Sequence, residues 1–194
     1  MEHLSISRQS EYFTTKELQL MTGRPQDQFA DVIVKELLDN AIDAAETKGV
    51  KPVAALEINE SDGRMQIIVA DNGKGMPSEL IRKITDFNTR TSDKVARRLP
   101  SRGAQGNALK TILGIPTALG GGTVSIEANH IKHVIQPKTL PGGVVEIEHD
   151  ELSSDWNIGT RITVDMPSLE LNKDWQQAFE VFNPHLSFVK NEDF

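Results

Sequence analysis

Apolar positions recur at helical spacing through much of the first half of the chain and at alternate positions through much of the second. Met1–Tyr12 has no clear period and reads as an arm or a short helix. Thr14 or Thr15 caps a short helix through Leu20, which stops near Gly23 and Pro25. A long helix follows from about Gln26 to Thr47, closed by Gly49 and Pro52. Val53–Asn59 and Met65–Ala70 read as strands around a turn at Ser61-Asp62-Gly63. The glycine-rich loop Asp71-Asn72-Gly73-Lys74-Gly75 leads into a helix from Ser78 to about Phe87. Asn88–Arg102 is polar and basic without a period and is expected to form a mobile loop. A helix from Gln105 to Leu113 ends near Gly114 and Pro116. Thr123–Ala128, Lys132–Gln136, Val144–His149 and Thr160–Met166 read as strands, and Asp174–Phe182 as a last helix before Pro184. The order predicts an α/β two-layer sandwich, with a mixed, mostly antiparallel sheet and helices on one face. No linker divides it: residues 1–25 are the arm or short helix and residues 26–190 one domain.

The 194 residues are enough to bury a proper core, and 38% apolar with 25% charged residues is a folded rather than a disordered balance. A net charge of −7 argues against this surface alone gripping a nucleic-acid backbone, so any DNA would be held through another domain or subunit. The absence of cysteine excludes disulfides, thiolate metal sites and cysteine nucleophiles. No apolar run is long enough to span a bilayer and no signal peptide is evident, so a cytoplasmic protein without membrane contact is expected.

Viewed down the long helix at about 100° per residue, Ala30, Ile33, Val34, Leu37, Leu38, Ala41, Ala44 and Ala45 form a broad apolar face. Asp31, Lys35, Asp39 and Glu46 form the solvent side. Glu36, Asn40 and Asp43 line up on one edge of the apolar face, with Phe29 and Val32. One such residue would be a boundary position satisfied by hydrogen bonds, but three aligned carboxylate and amide groups suggest chemistry. A half-desolvated carboxylate can serve as a general base, and an amide oxygen one turn away suits Mg2+.

Glu36-Leu37-Leu38-Asp39-Asn40-Ala41-Ile42-Asp43-Ala44 resembles the N-box of the GHKL family, which comprises gyrase B, MutL, the ninety-kilodalton heat-shock chaperone and the histidine kinases. The resemblance implies a Bergerat-type ATP-binding fold with ATP and Mg2+ as cofactors, Glu36 as the water-activating base and Asn40 as the metal ligand, with Asp43 beside them. Asp71-Asn72-Gly73-Lys74-Gly75-Met76 is either a tight turn or a carboxylate at a strand end that reads the exocyclic amine of a base. It resembles the second motif of that family, in which Asp71 reads the adenine amine and Gly73, Gly75 and Met76 line the base pocket.

The helix start Gly103-Ala104-Gln105-Gly106-Asn107, with Lys110 a turn later, is either an ordinary capped helix or a phosphate site, and it is not a Walker loop. It resembles the hinged lid that closes over triphosphate. The preceding Thr89, Thr91, Ser92, Lys94, Arg97, Arg98 and Arg102 suit that role or a merely solvated loop. Gly159-Thr160 resembles the last motif, in which the threonine hydroxyl holds adenine through water. The five histidines, His3, His130, His133, His149 and His185, show no metal-ligand spacing and read as surface or strand residues.

Glu11-Tyr12-Phe13, the Ser101–Gly106 segment and Asn183-Pro184-His185 resemble the topoisomerase VI B branch. That branch continues into a transducer domain with a lysine on the γ-phosphate, whereas this chain stops at Phe194. The resemblance therefore implies either a fragment or a compact relative that needs a partner. The function expected is slow, Mg2+-dependent ATP hydrolysis coupled to conformational change, to a homodimer or to a partner subunit, in a DNA transaction. Two rivals remain: a nucleotide-gated binding switch that hydrolyses little, and a histidine-kinase ATP-binding domain, which the Asn40-x-x-Asp43-Ala44 ending disfavours.

Overall fold

Thr14 starts the first helix by accepting the Glu17 amide on its hydroxyl at 3.4 Å, and Gly23 ends it in the left-handed conformation at φ 65°. This helix, α1 (Thr15–Thr22), buries Leu18. The computed structural model describes residues 12–85, 87 and 105–194. After a 3-10 turn at Gln26–Gln28, α2 (Phe29–Lys48) runs to Gly49, again left-handed, at φ 79°. The remaining elements are β1 (Val53–Ser61), β2 (Arg64–Asp71), α3 (Ser78–Thr85), α4 (Gln105–Ala118), β3 (Thr123–Ala128), β4 (Ile131–Thr139), β5 (Val145–Ser153), β6 (Arg161–Pro167), α5 (Trp175–Phe182) and β7 (Ser187–Phe188).

The strands form one sheet in the order β5-β4-β3-β6-β2-β1-β7, antiparallel at every junction except the short parallel pairing of β1 with β7. The β1–β2 hairpin turns on Asp62 and Gly63, both at positive φ, as a two-residue Asp-Gly turn requires. Alternation along the strands turns Ile67, Val69, Val124, Ile126, Ile135, Ile162 and Val164 into the core. There α2 covers β1 and β2, and α4 covers β3, β4 and β6. This is the expected two-layer, mostly antiparallel architecture. Among the described residues, no helix is long and apolar enough to cross a membrane.

Three readings change. The helix expected to stop at Leu113 runs on to Ala118 with Pro116 inside it. Proline removes one backbone bond, but Ile112, Leu113 and Ile115 are fully buried around it, and Leu119 N still reaches Ile115 O at 3.0 Å. Gly114 is a close-approach residue, not a stop: a Cβ there would fall on the Tyr12 carbonyl oxygen. Asp31, placed on the solvent side of α2 by periodicity, is buried at 8% exposure. Its carboxylate accepts the Trp175 indole N–H at 2.7 Å and the Asn172 side-chain amide at 2.8 Å, because the segment leading into α5 folds over the start of α2. The strand β7 carries no periodic signal of its own in two residues and exists through pairing with β1. The expected basic loop at Asn88–Arg102 lies outside the described residues.

Candidate functional site

The edge of α2 does present Glu36, Asn40 and Asp43 together, all half-buried. Glu36 retains 33% of its side-chain exposure and lies 3.6 Å from Lys35 Nζ, so it stands at the boundary between helix and solvent. Asn40 Nδ2 is buried and finds no hydrogen-bond partner among the described residues. A buried donor left unmade costs about 1–3 kcal/mol, and a bound oxygen would recover that cost.

One residue beyond Asp43, the helix touches the glycine loop. A Cβ at Gly73 would lie 2.6 Å from the Ala44 Cβ and 2.7 Å from Asp71 Oδ1, so only glycine lets the loop lie this close to α2. Lys48, at the last turn of α2, donates to the carbonyls of Asn72 at 2.8 Å and Gly73 at 3.0 Å. Asn72 is pinned in turn, accepting Val53 N at 3.1 Å and donating to Lys51 O at 2.9 Å.

Asp71 is the centre of this arrangement. It ends β2, is 7% exposed, and its Oδ1 accepts the amides of Gly73 at 2.7 Å and Thr160 at 3.3 Å. Burial pushes its pKa up to about 6, and the two amides and the nearby Lys48 charge oppose that rise. The carboxylate is thus ionised at neutral pH, aligned through one oxygen, and able to accept a further donor on the other. Thr160, itself buried, closes the ring: its carbonyl accepts Asp71 N and its hydroxyl accepts Met76 N, both at 3.0 Å. The structure therefore brings Asp71, Gly73, Gly75, Met76 and Thr160 into one cluster beside α2.

The expected phosphate-binding helix start falls at α4, whose first residues are Gln105, Gly106 and Asn107. Gly103 and Ala104 lie outside the described residues. Lys110, one turn further on, is buried at 5% exposure with Nζ 5.3 Å from the centre of the Phe87 ring. It belongs to the aromatic group of Tyr12, Phe13 and Phe87.

Sequence reasoning missed Asn129, and it named Gly159 only as the residue opening the last motif, without a role. Asn129 sits in the β3–β4 turn at φ 52° and its amide donates to Met76 O at 3.3 Å. Gly159, at φ 58°, packs against the Asp71 carbonyl so closely that a Cβ would fall on the oxygen. A turn residue and a glycine before Thr160 were the visible signals; their partners were invisible without strand order.

Comparison with known proteins bears on the family and the fold. The family model for histidine kinase-, DNA gyrase B- and HSP90-like ATPases matches residues 26–170. The B subunit of type 2 DNA topoisomerase 6 from Archaeoglobus fulgidus is 28% identical over 176 residues, covering 81% of this chain and 28% of that protein. Its counterpart from Natronomonas pharaonis is 32% identical over 213 residues, covering 99% of this chain and 26% of the relative. The chain thus spans about a quarter to a third of the length of such relatives. Among solved structures, the ATPase region of Saccharomyces cerevisiae topoisomerase II bound to ICRF-187 (dexrazoxane) superposes with a TM-score of 0.52 at 14% identity, over 82% of this chain and 47% of that one. That likeness concerns the fold alone.

Proposed function

Because the chain belongs to the family of histidine kinase-, DNA gyrase B- and HSP90-like ATPases, we propose that it binds ATP between the α2 edge and the Asp71 loop, and hydrolyses it. The observation that carries this reading is the buried, aligned carboxylate of Asp71 in a ring of close-packed glycines. Such a group selects a ligand that brings a hydrogen-bond donor on a flat edge, as the exocyclic amine of adenine does. Gly73, Gly75, Met76 and Thr160 form the surroundings of the base, with Asn129 holding Met76 in place.

The edge also offers oxygens that suit Mg2+, the side-chain oxygen of Asn40 and the carboxylate of Asp43, while the buried Asn40 Nδ2, without a partner among the described residues, suits a phosphate oxygen. When bound there through Asn40, Mg2+ supplies positive charge against the triphosphate. Glu36, at the exposed end of the edge, orients a water and takes its proton. The first amides of α4 have no partner within the helix and suit phosphate oxygens. Gln105, Gly106 and Asn107 supply that end, with Gly103 and Ala104 preceding it, while Lys110 is buried with its ammonium towards the Phe87 ring.

Coupling of nucleotide state to a homodimer or a partner subunit, in a DNA transaction, is supported by the relatives, which are topoisomerase subunits. A net charge of −7 argues against this surface alone gripping DNA and supports contact through another domain or subunit. Calorimetric titration with a non-hydrolysable ATP analogue and Mg2+ tests the pocket: binding is expected in the unmutated chain and lost in Asp71→Asn. Binding retained by Asp71→Asn would overturn the assignment of the base site. Glu36→Gln is expected to lower turnover about 100-fold or more while leaving analogue binding intact. Turnover equal in the two would leave the binding-switch reading in its place.

A further inference from the structure

The histidines without metal-ligand spacing in the sequence meet in the sheet. Antiparallel register sets His133 of β4 opposite Glu151 of β5, and Ile135 opposite His149, so His133, His149 and Glu151 share one face at the sheet edge. His133 Nδ1 lies 2.9 Å from His149 Nε2 and 3.7 Å from Glu151 Oε1. One ligand atom from each of the three residues lies within 4.8 Å of the others. His133 is buried at 1% exposure, and burial lowers the pKa of both rings, so each keeps a lone pair at neutral pH.

Two of these groups are oriented from behind by α3. His133 Nε2 is 2.9 Å from Ser78 Oγ, which fits a ring that carries its proton on Nε2 and leaves Nδ1 open. Arg82 holds both oxygens of Glu151 at 2.6 Å, which fixes the carboxylate while its outer lone pairs remain available. Two nitrogens bound tetrahedrally to zinc stand about 3.3 Å apart, so a small opening of the present His–His contact admits the ion.

We propose that His133, His149 and Glu151 form a binding site for a zinc-like transition-metal dication that fastens α3 to the β4–β5 edge. Two imidazoles and one carboxylate leave a fourth position for water. On binding, both rings remain neutral: His133 keeps its proton on Nε2 towards Ser78, and His149, which in the ion-free contact donates from Nε2 to His133 Nδ1, loses that proton to solvent and takes one up on Nδ1, so that Nε2 is free for the ion. None of the three residues belongs to the nucleotide site, so the site stands or falls independently of ATP binding.

The test is calorimetric titration of the tag-free full chain with Zn2+, with the visible absorption of added Co2+ as a second readout. One equivalent is expected to bind, with the absorption bands of four-coordinate Co2+. His149→Ala is expected to lower affinity at least tenfold and abolish the bands, and Ser78→Ala to weaken binding about 10–100-fold. Glu151→Gln, at an exposed position, repeats the test should His149→Ala fail to fold. No stoichiometric binding by the unmutated chain, or binding that both His149→Ala and Glu151→Gln leave unchanged, would overturn the proposal.

Discussion

Asp71 answers to two opposing demands at a single carboxylate. The proposed recognition of adenine needs it ionised, yet burial holds its pKa at about 6, well above the ordinary 3.8. A carboxyl whose pKa is higher folded than unfolded destabilises the fold when charged. That cost is complete above about pH 6, shrinks as pH falls towards 3.8 and is absent below it. Its full size is about 3 kcal/mol. Asp71→Asn keeps an oxygen for the Gly73 and Thr160 amides, so it is expected to stabilise the nucleotide-free chain by about 1–3 kcal/mol at pH 7. Urea unfolding at pH 7 and at pH 4 checks this: the gain must shrink at the lower pH, and no gain at pH 7 would contradict the burial argument. Gly159→Ala acts in the other direction, because a left-handed φ of 58° and the Asp71 carbonyl both resist a Cβ. A loss of about 1–3 kcal/mol in the same assay is expected.

Among the elements, the start of α2 is held by Asp31, whose carboxylate gathers Trp175 Nε1 and the backbone and side-chain amides of Asn172. Removing it leaves those donors unsatisfied. Asp31→Ala should therefore lower unfolding free energy by about 2–3 kcal/mol, with fluorescence of Trp175 reporting the loosened contact; a neutral result would mean that water replaces the carboxylate. Periodicity could show the long helix, the Asp62-Gly63 hairpin and the loop at Asp71, because each is written in adjacent residues. It could not show that Asp31 faces another element, since a helical wheel distinguishes polar from apolar but not solvent from a folded-over segment. Pro116 misled for a related reason: a local breaker was outweighed by burial of Ile112 and Ile115, which is a tertiary effect. Pro137 sits inside β4 because the β3 pairing has ended by Ile135, a fact of register alone. His133 and His149 became neighbours in the same way.

At the scale of the whole molecule, nucleotide binding is linked to folding. At a concentration 100 times its Kd, a ligand of the native state adds about 2.7 kcal/mol, which for a chain of this size raises Tm by about 5–10 °C. Thermal unfolding with the ATP analogue should show that rise in the unmutated chain and none in Asp71→Asn; an equal rise in both would place the ligand elsewhere. The bond between Thr160 N and Asp71 Oδ1 spans 89 positions of sequence. During synthesis, every residue of α2 and of the glycine loop emerges long before β6 exists to pair with β2. A nascent chain that has not yet reached Thr160 therefore lacks the floor of the proposed base site, and on that proposal the cellular pool of ATP cannot assist its early folding. Nucleotide rewards only the chain whose sheet is already closed through β6.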